Sequence, residues 1–230
     1  MKNFCHSIII NTLLINIIFS SNISIKPIDL LSLLHNNADW KLLQSKESIS
    51  VSTKKIEGKD LLGVMVKGEI SLPNEILQNV IMDIDGYSDF LKGSSSIISK
   101  KLKKTSDFVD GYQFIPINIP FFENREYLFR MYPRSYRNDD NTSIIHWHLL
   151  DKDLQYLNSD SLTATYLNYG AGLWVAEKSR ENKTYISYRV YMDPGGSLPS
   201  FLIDMINKTS VVNIFNDVVA EAQKRFDINR

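Results

Sequence analysis

The sequence predicts an α+β fold built on an antiparallel β-sheet. Strand-like segments outnumber helical ones, they succeed one another without an alternating strand-helix rhythm, and a long amphipathic helix closes the order. With 230 residues, 43% of them hydrophobic, the chain suits one globular domain behind a leader and can bury a sizeable core.

The leader comes first. Lys2 precedes an apolar run from Ile8 to Phe19, broken only by Asn11, Thr12 and Asn16, and the small residues Ser20, Ser21 and Ser24 follow. This is the layout of a secretory signal peptide over residues 1–24, with residues 25–230 as the mature domain, exported to a periplasm or secreted. The run is shorter than the roughly 20 apolar residues of a membrane span. No Ala-x-Ala site selects a cleavage point, so an uncleaved N-terminal membrane anchor stays open. Cys5, the single cysteine, lies in this leader, which leaves the mature chain neither disulfide nor thiol nucleophile. No cysteine follows the run to carry a lipoprotein anchor.

Pro27 then opens a short helical signal through Leu30, Leu31 and Leu34, and Trp40 follows. From Ile49 the period changes to two: Ile49, Val51 and Thr53 share one face, Ser50, Ser52 and Lys54 the other. Glu57-Gly58-Lys59-Asp60 turns the chain into a second strand, Leu62 to Ile70, making a hairpin. Pro73 opens a helix from Asn74 to about Met82, with Ile76, Leu77, Val80 and Ile81 on its apolar side. Six further strands are expected at 97–102, 108–117, 126–134, 143–150, 173–177 and 184–192, most of them joined by polar turns such as Asn138-Asp139-Asp140-Asn141.

Asp193-Pro194-Gly195-Gly196 is turn chemistry rather than a catalytic aspartate. It leads into the last helix, with Ser197 as N-cap, Pro199 in the first turn, and Lys224 and Arg225 near the end. Leu198, Phe201, Leu202, Met205 and Ile206 share one side of this helix. Val211, Val212, Ile214, Phe215, Val218, Val219, Ala222 and Phe226 share another, rotated side. The two halves must therefore face different things, through a kink near Asn207 to Ser210 or along a straight helix that covers two surfaces.

Charge narrows the function. Lys plus Arg (26) cancels Asp plus Glu (26), so the positive field that attracts nucleic acid is missing and no nucleic-acid partner is expected. No nucleophile elbow, phosphate-binding glycine loop or paired-histidine zinc motif is present, although that absence does not exclude an enzyme. His146 and His148 share a strand face at a spacing zinc sites can use, but only His6 and His35 could add a third imidazole. The pair is expected to be satisfied in the structure or to line a cavity, with no metal bound. Lys100-Lys101-Leu102-Lys103-Lys104 would suit transient contact with an anionic membrane or, equally, a solvated strand end. Ile117 to Phe122, with two prolines, is either an exposed lid or a loop closing one end of the core. Trp174 is expected in the core, or else in a cavity wall.

Several blocks follow one another in order: Asp39-Trp40 before Ile49-Ser50-Val51, Gly68-Glu69-Ile70, Tyr87-Ser88-Asp89-Phe90, and Ile119-Pro120-Phe121-Phe122-Glu123-Asn124-Arg125-Glu126. They continue with Gly172-Leu173-Trp174, Thr184-Tyr185-Ile186-Ser187-Tyr188 and Asp193-Pro194-Gly195-Gly196-Ser197-Leu198-Pro199. In order and spacing these blocks resemble the START domains (steroidogenic acute regulatory protein-related lipid transfer) of the helix-grip superfamily. The resemblance implies a curved antiparallel sheet wrapped around the C-terminal helix, with a mostly apolar cavity that holds one hydrophobic small molecule or lipid and needs no cofactor. It implies inward positions for Arg125, Tyr127, Phe129 and Met131, and further ligand contacts from Trp174, Tyr188, Ile206, Ile214 and Val218. Arg125, His146 or His148 would orient a polar end.

Two departures stand out: Glu126 where the family usually has Asp, and Met131 where a second Arg is often found, which leaves less fixed charge inside. The expected function is ligand binding or transfer by a monomer, without catalysis. The alternative is a cyclase or hydrolase of the same superfamily, with Arg125, Tyr127, His146 and His148 as its acids and bases.

Overall fold

The computed structural model describes residues 26–46, 48–92, 97–117, 120, 122–133, 142–153, 156, 164–178, 183–196 and 200–228, with side chains of the last helix from 209 onward. Helix α1 spans Pro27–His35, and strands β1 (Lys41–Lys46), β2 (Ile49–Lys55) and β3 (Leu62–Ile70) follow. Helices α2 (Asn74–Ile81) and α3 (Tyr87–Phe90) precede β4 (Ile98–Lys104), β5 (Val109–Ile115), β6 (Asn124–Tyr132) and β7 (Thr142–Leu149). Strands β8 (Ala164–Tyr166), β9 (Gly170–Lys178) and β10 (Thr184–Met192) lead to α4 (Ser200–Ile228).

The strands form one curved, open sheet in the order β1-β2-β3-β10-β9-β7-β6-β5-β4, with β8 parallel to β6 and every other pairing antiparallel. The antiparallel α+β helix-grip architecture expected from the sequence is the one observed. The β2–β3 hairpin and six later strands match the expected segments. Strand β1 carried no alternation to find, because it is an edge strand exposed along its whole length. Strand β8 and helix α3 are too short for a periodic signal.

Alternation along the central strands sorts side chains to two faces. On the inner face, Val66, Trp174, Ile186 and Tyr188 pack with Val211, Phe215, Val218 and Ala222 of α4. Those four helical positions recur every three to four residues, so one stripe of α4 lies against the sheet, as the sequence required of its second half. On the outer face, Leu30, Leu31 and Leu34 of α1 cover Ala171, Leu173 and Val175 of β9 and Tyr191 of β10.

Two cations from the sheet fasten α1. Lys54 Nζ donates to Leu33 O (2.7 Å) and Asn36 O (2.9 Å), and Arg189 Nη1 donates to His35 O (2.7 Å) and Leu34 O (3.2 Å). These carbonyls belong to the last turn and the C-cap of α1, where a helix has no amides of its own left to offer.

Helix α4 runs as one helical segment from Ser200 to Ile228. Ser197, Leu198 and Pro199, and the side chains of Phe201, Leu202, Met205 and Ile206, lie outside the described residues. Among the described residues no helix is long and apolar enough to cross a membrane.

A cavity between sheet and helix as the candidate functional site

Between the inner face and α4 lies a cavity of about 200 Å³. Successive inward positions of β6 supply Tyr127, Phe129 and Met131, β9 and β10 supply Trp174 and Tyr188, and α4 supplies Ile214 and Val218. Seven of the eleven residues expected at the ligand therefore line one space. Ile206 lies among the side chains that are not described.

Three positions are corrections. Arg125 has the inward parity of its strand, but it sits at the strand's end and is absent from the cavity wall. Its guanidinium donates instead to Pro194 O (2.6 Å), to Gly195 O (3.3 Å) and to Glu123 O. The turn it holds requires both glycines, with φ of +60° at Gly195 and +66° at Gly196. Asp193 is a turn residue as expected, its Oδ1 accepting from the Gly195 amide at 3.0 Å.

His146 and His148 face outward, because β7 turns Ile145 and Trp147 inward. The apolar set Ile145, Trp147 and Leu149 outweighs the pair in deciding which face is buried in the core. Both imidazoles stack on Tyr132, at 4.7 and 5.8 Å between ring centres. Arg130 and Asp110 form an ion pair (2.6 Å) beside them. Burial, then His148, pushes His146 down to about 4, and burial with Arg130 lowers His148 as well. Among the described residues no three His, Cys, Asp or Glu side chains gather as a metal site.

The interior carries hydrogen-bonding groups without charge. Among the described residues no lining side chain is ionic, and the polar groups are Gln113, Ser210, the indoles of Trp147 and Trp174 and the phenols of Tyr87, Tyr127 and Tyr188. Burial raises all three phenols far above their ordinary range, so they act as neutral donors and acceptors. Tyr87 donates to Ile81 O and Tyr127 to Gln113 Oε1, while Gln113 Nε2 donates to Ser99 Oγ at 3.3 Å.

Two glycines create the room. A Cβ at Gly172 would lie 2.7 Å from the Trp147 indole, and one at Gly111 would lie 2.5 Å from the Phe129 ring. Each glycine is the direct cross-strand partner of its aromatic residue, so the ring lies flat across the neighbouring strand and leaves the space above it open. Sequence inspection missed Gln113, Tyr87, Trp147 and both glycines. The one signal for Trp147 was the apolar alternation Ile145, Trp147, Leu149, which made that face of β7 a candidate for the interior.

At the mouth, Ile117 lines the cavity, whereas Ile119 and Phe121 of the proline loop lie outside the described residues. The lysine run sits on the edge strand β4, where Lys101 pairs with Asp85 at 2.8 Å. Exposed lysines on an edge discourage pairing with another sheet.

No family model matches the chain, and no curated protein does. Solved structures do. A STAR-related lipid transfer protein fragment from Xanthomonas axonopodis is 17% identical with a TM-score of 0.66, over 80% of this chain and 99% of that one. Human StAR-related lipid transfer protein 5 is 14% identical with a TM-score of 0.67, over 86% and 92%. An aromatase/cyclase from a Streptomyces species is 14% identical with a TM-score of 0.51, over 71% and 94%. At these identities the likeness is one of fold, and the fold is that of START domains.

Proposed function

We propose that this protein binds one uncharged hydrophobic molecule in the cavity between its sheet and α4, shielding it from water and carrying it between membranes. The observation that carries this reading is the lining: apolar walls, a few neutral hydrogen-bonding groups and no ionic side chain among the described residues. Withdrawal of apolar surface from water supplies the driving force, at about 25 cal/mol per Å². The volume, about 200 Å³, falls below the roughly 300–1,000 Å³ of pockets that take drug-sized ligands. A compact or single-chain molecule suits it better than a two-chain lipid. The segment 1–24, with its lysine and apolar run, supports action outside the cytoplasm.

Native mass spectrometry of the purified protein, with solvent extraction of whatever it carries, tests this reading. A stoichiometric small hydrophobic adduct is the expected result. A chain that is empty as purified and takes up nothing from a mixed lipid extract defeats it.

A catalytic reading draws support from the aromatase/cyclase of similar fold. It would have to rely on the tyrosines, since Arg125, His146 and His148 are not at the cavity. Phenols raised by burial are poor proton donors and acceptors near neutral pH, which favours binding.

A further inference from the structure

Among the described residues three phenols line the cavity, and they differ in where their protons go. Tyr87 and Tyr127 give theirs to protein acceptors, the Ile81 carbonyl and Gln113 Oε1. Tyr188 has the opposite arrangement. Its side-chain hydrogen-bond partner is Trp147, whose indole N–H can only donate, so the Tyr188 oxygen accepts. Among the described residues the Tyr188 hydroxyl donates no hydrogen bond of its own, although it shares the cavity with the phenols of Tyr87 and Tyr127. A buried hydroxyl leaves a donor unsatisfied only at a cost, and a group built to be completed by a ligand is one way the cost is met.

The surroundings hold that hydroxyl in place. The Tyr188 ring stacks on Trp174 at 4.3 Å with 14° between planes, and Trp174 stacks in turn on Phe215 of α4. The Trp147 indole lies across Gly172 on β9, between its own strand and β10, with Nε1 only 2.9 Å from where a Cβ would stand. Gly172 thus lets the indole N–H reach toward Tyr188 from two strands away.

We propose that Tyr188 is the specificity-determining residue of the cavity, donating its hydroxyl proton to a single acceptor oxygen, a ketone, ester or ether, on an uncharged ligand, and that Trp147 is its positioning residue. This rests on the binding reading above and narrows it. An ionised carboxylate or phosphate would be left with one neutral donor and no counter-charge, which a dry site does not tolerate. A pure hydrocarbon would leave the hydroxyl unserved.

The test compares 2-nonanone, nonane and nonanoate at pH 8, titrated against the full chain and followed by tryptophan fluorescence, since Trp147 and Trp174 both line the cavity. Tyr188→Phe keeps the stacked ring and removes the donor. The expected result is a weakening of 2-nonanone binding by roughly three- to tenfold with nonane unchanged within about twofold, and nonanoate weakest throughout. Trp147→Phe, which keeps a ring but removes the N–H, should weaken 2-nonanone more than nonane, a split that a loss of packing alone would not produce. Equal effects of Tyr188→Phe on ketone and alkane overturn the proposal while leaving the binding reading intact, whereas nonanoate binding as well as the ketone overturns the proposal and, with it, the uncharged-ligand part of the binding reading. Failure of all three probes to bind the unaltered protein overturns both.

Discussion

Arg125, at the start of β6, binds Pro194 across the fold: its Nε donates to the Pro194 carbonyl at 2.6 Å, and a second nitrogen reaches Gly195 O at 3.3 Å. Arg125 is 5% exposed, and burial lowers its pKa from the ordinary value while the Glu123 carboxylate opposes that shift. The side chain expected to meet the ligand instead pins the turn that launches α4.

Arg125→Leu should therefore destabilise the protein by about 3 kcal/mol, from at least two lost charge-assisted hydrogen bonds and the carbonyls left behind. Arg125→Lys should recover little, because an ammonium cannot reproduce the fork. Urea unfolding measures both. Hydrogen exchange adds a local readout: residues 200–206 of α4 should exchange faster than 211–226 in the unaltered protein, consistent with flexing at Asn207 to Ser210, and faster still in Arg125→Leu.

Gly111→Ala should shrink the cavity. A methyl group 2.5 Å from the Phe129 ring has to move that ring, and the open side is the cavity. The expected cost is about 1–3 kcal/mol of stability. Ligand recovered per mole of protein should fall as well, measured by mass spectrometry beside a thermal melt.

Stability should fall on acidification from about pH 6.5 to about pH 4. His146 titrates near 4 when folded, below its ordinary value of 6.5. Across that window the unfolded chain binds more protons than the folded one, so protonation favours unfolding as pH falls. The loss is on the order of 2–3 kcal/mol, and lowered His148 acts in the same direction. His146→Phe keeps a ring against Tyr132 without a titrating group. Its urea midpoint should depend less steeply on pH over this range than that of the unaltered protein.

Arg189→Met should loosen α1. It removes the donors to Leu34 O and His35 O beneath the outer apolar cluster, while the methionine still fills much of the arginine's path. A stability loss of about 2–3 kcal/mol is expected, with earlier proteolytic cutting between residues 27 and 40.

The strand of each central hairpin and the inward stripe of α4 were legible in the sequence because periods of two and of three to four residues are local patterns. The β1 strand was not, since every residue from Lys41 to Lys46 is exposed and an edge strand needs no apolar alternation. On β7 the same two-residue period allowed either face to turn inward. The histidines suggested one orientation, and packing of Ile145 and Trp147 selected the other.

By itself, then, the sequence determined the antiparallel α+β class, the turn chemistry of Asp193 to Gly196 and the helix that follows, because each depends on residues a few positions apart. Only the tertiary structure decided the sheet order, the glycines that let Trp147 and Phe129 lie flat, and the partner of Arg125, 69 residues away along the chain. Those features arise where distant segments meet. Whether a buried donor is satisfied within the protein or left for a ligand depends on which segment folds against it.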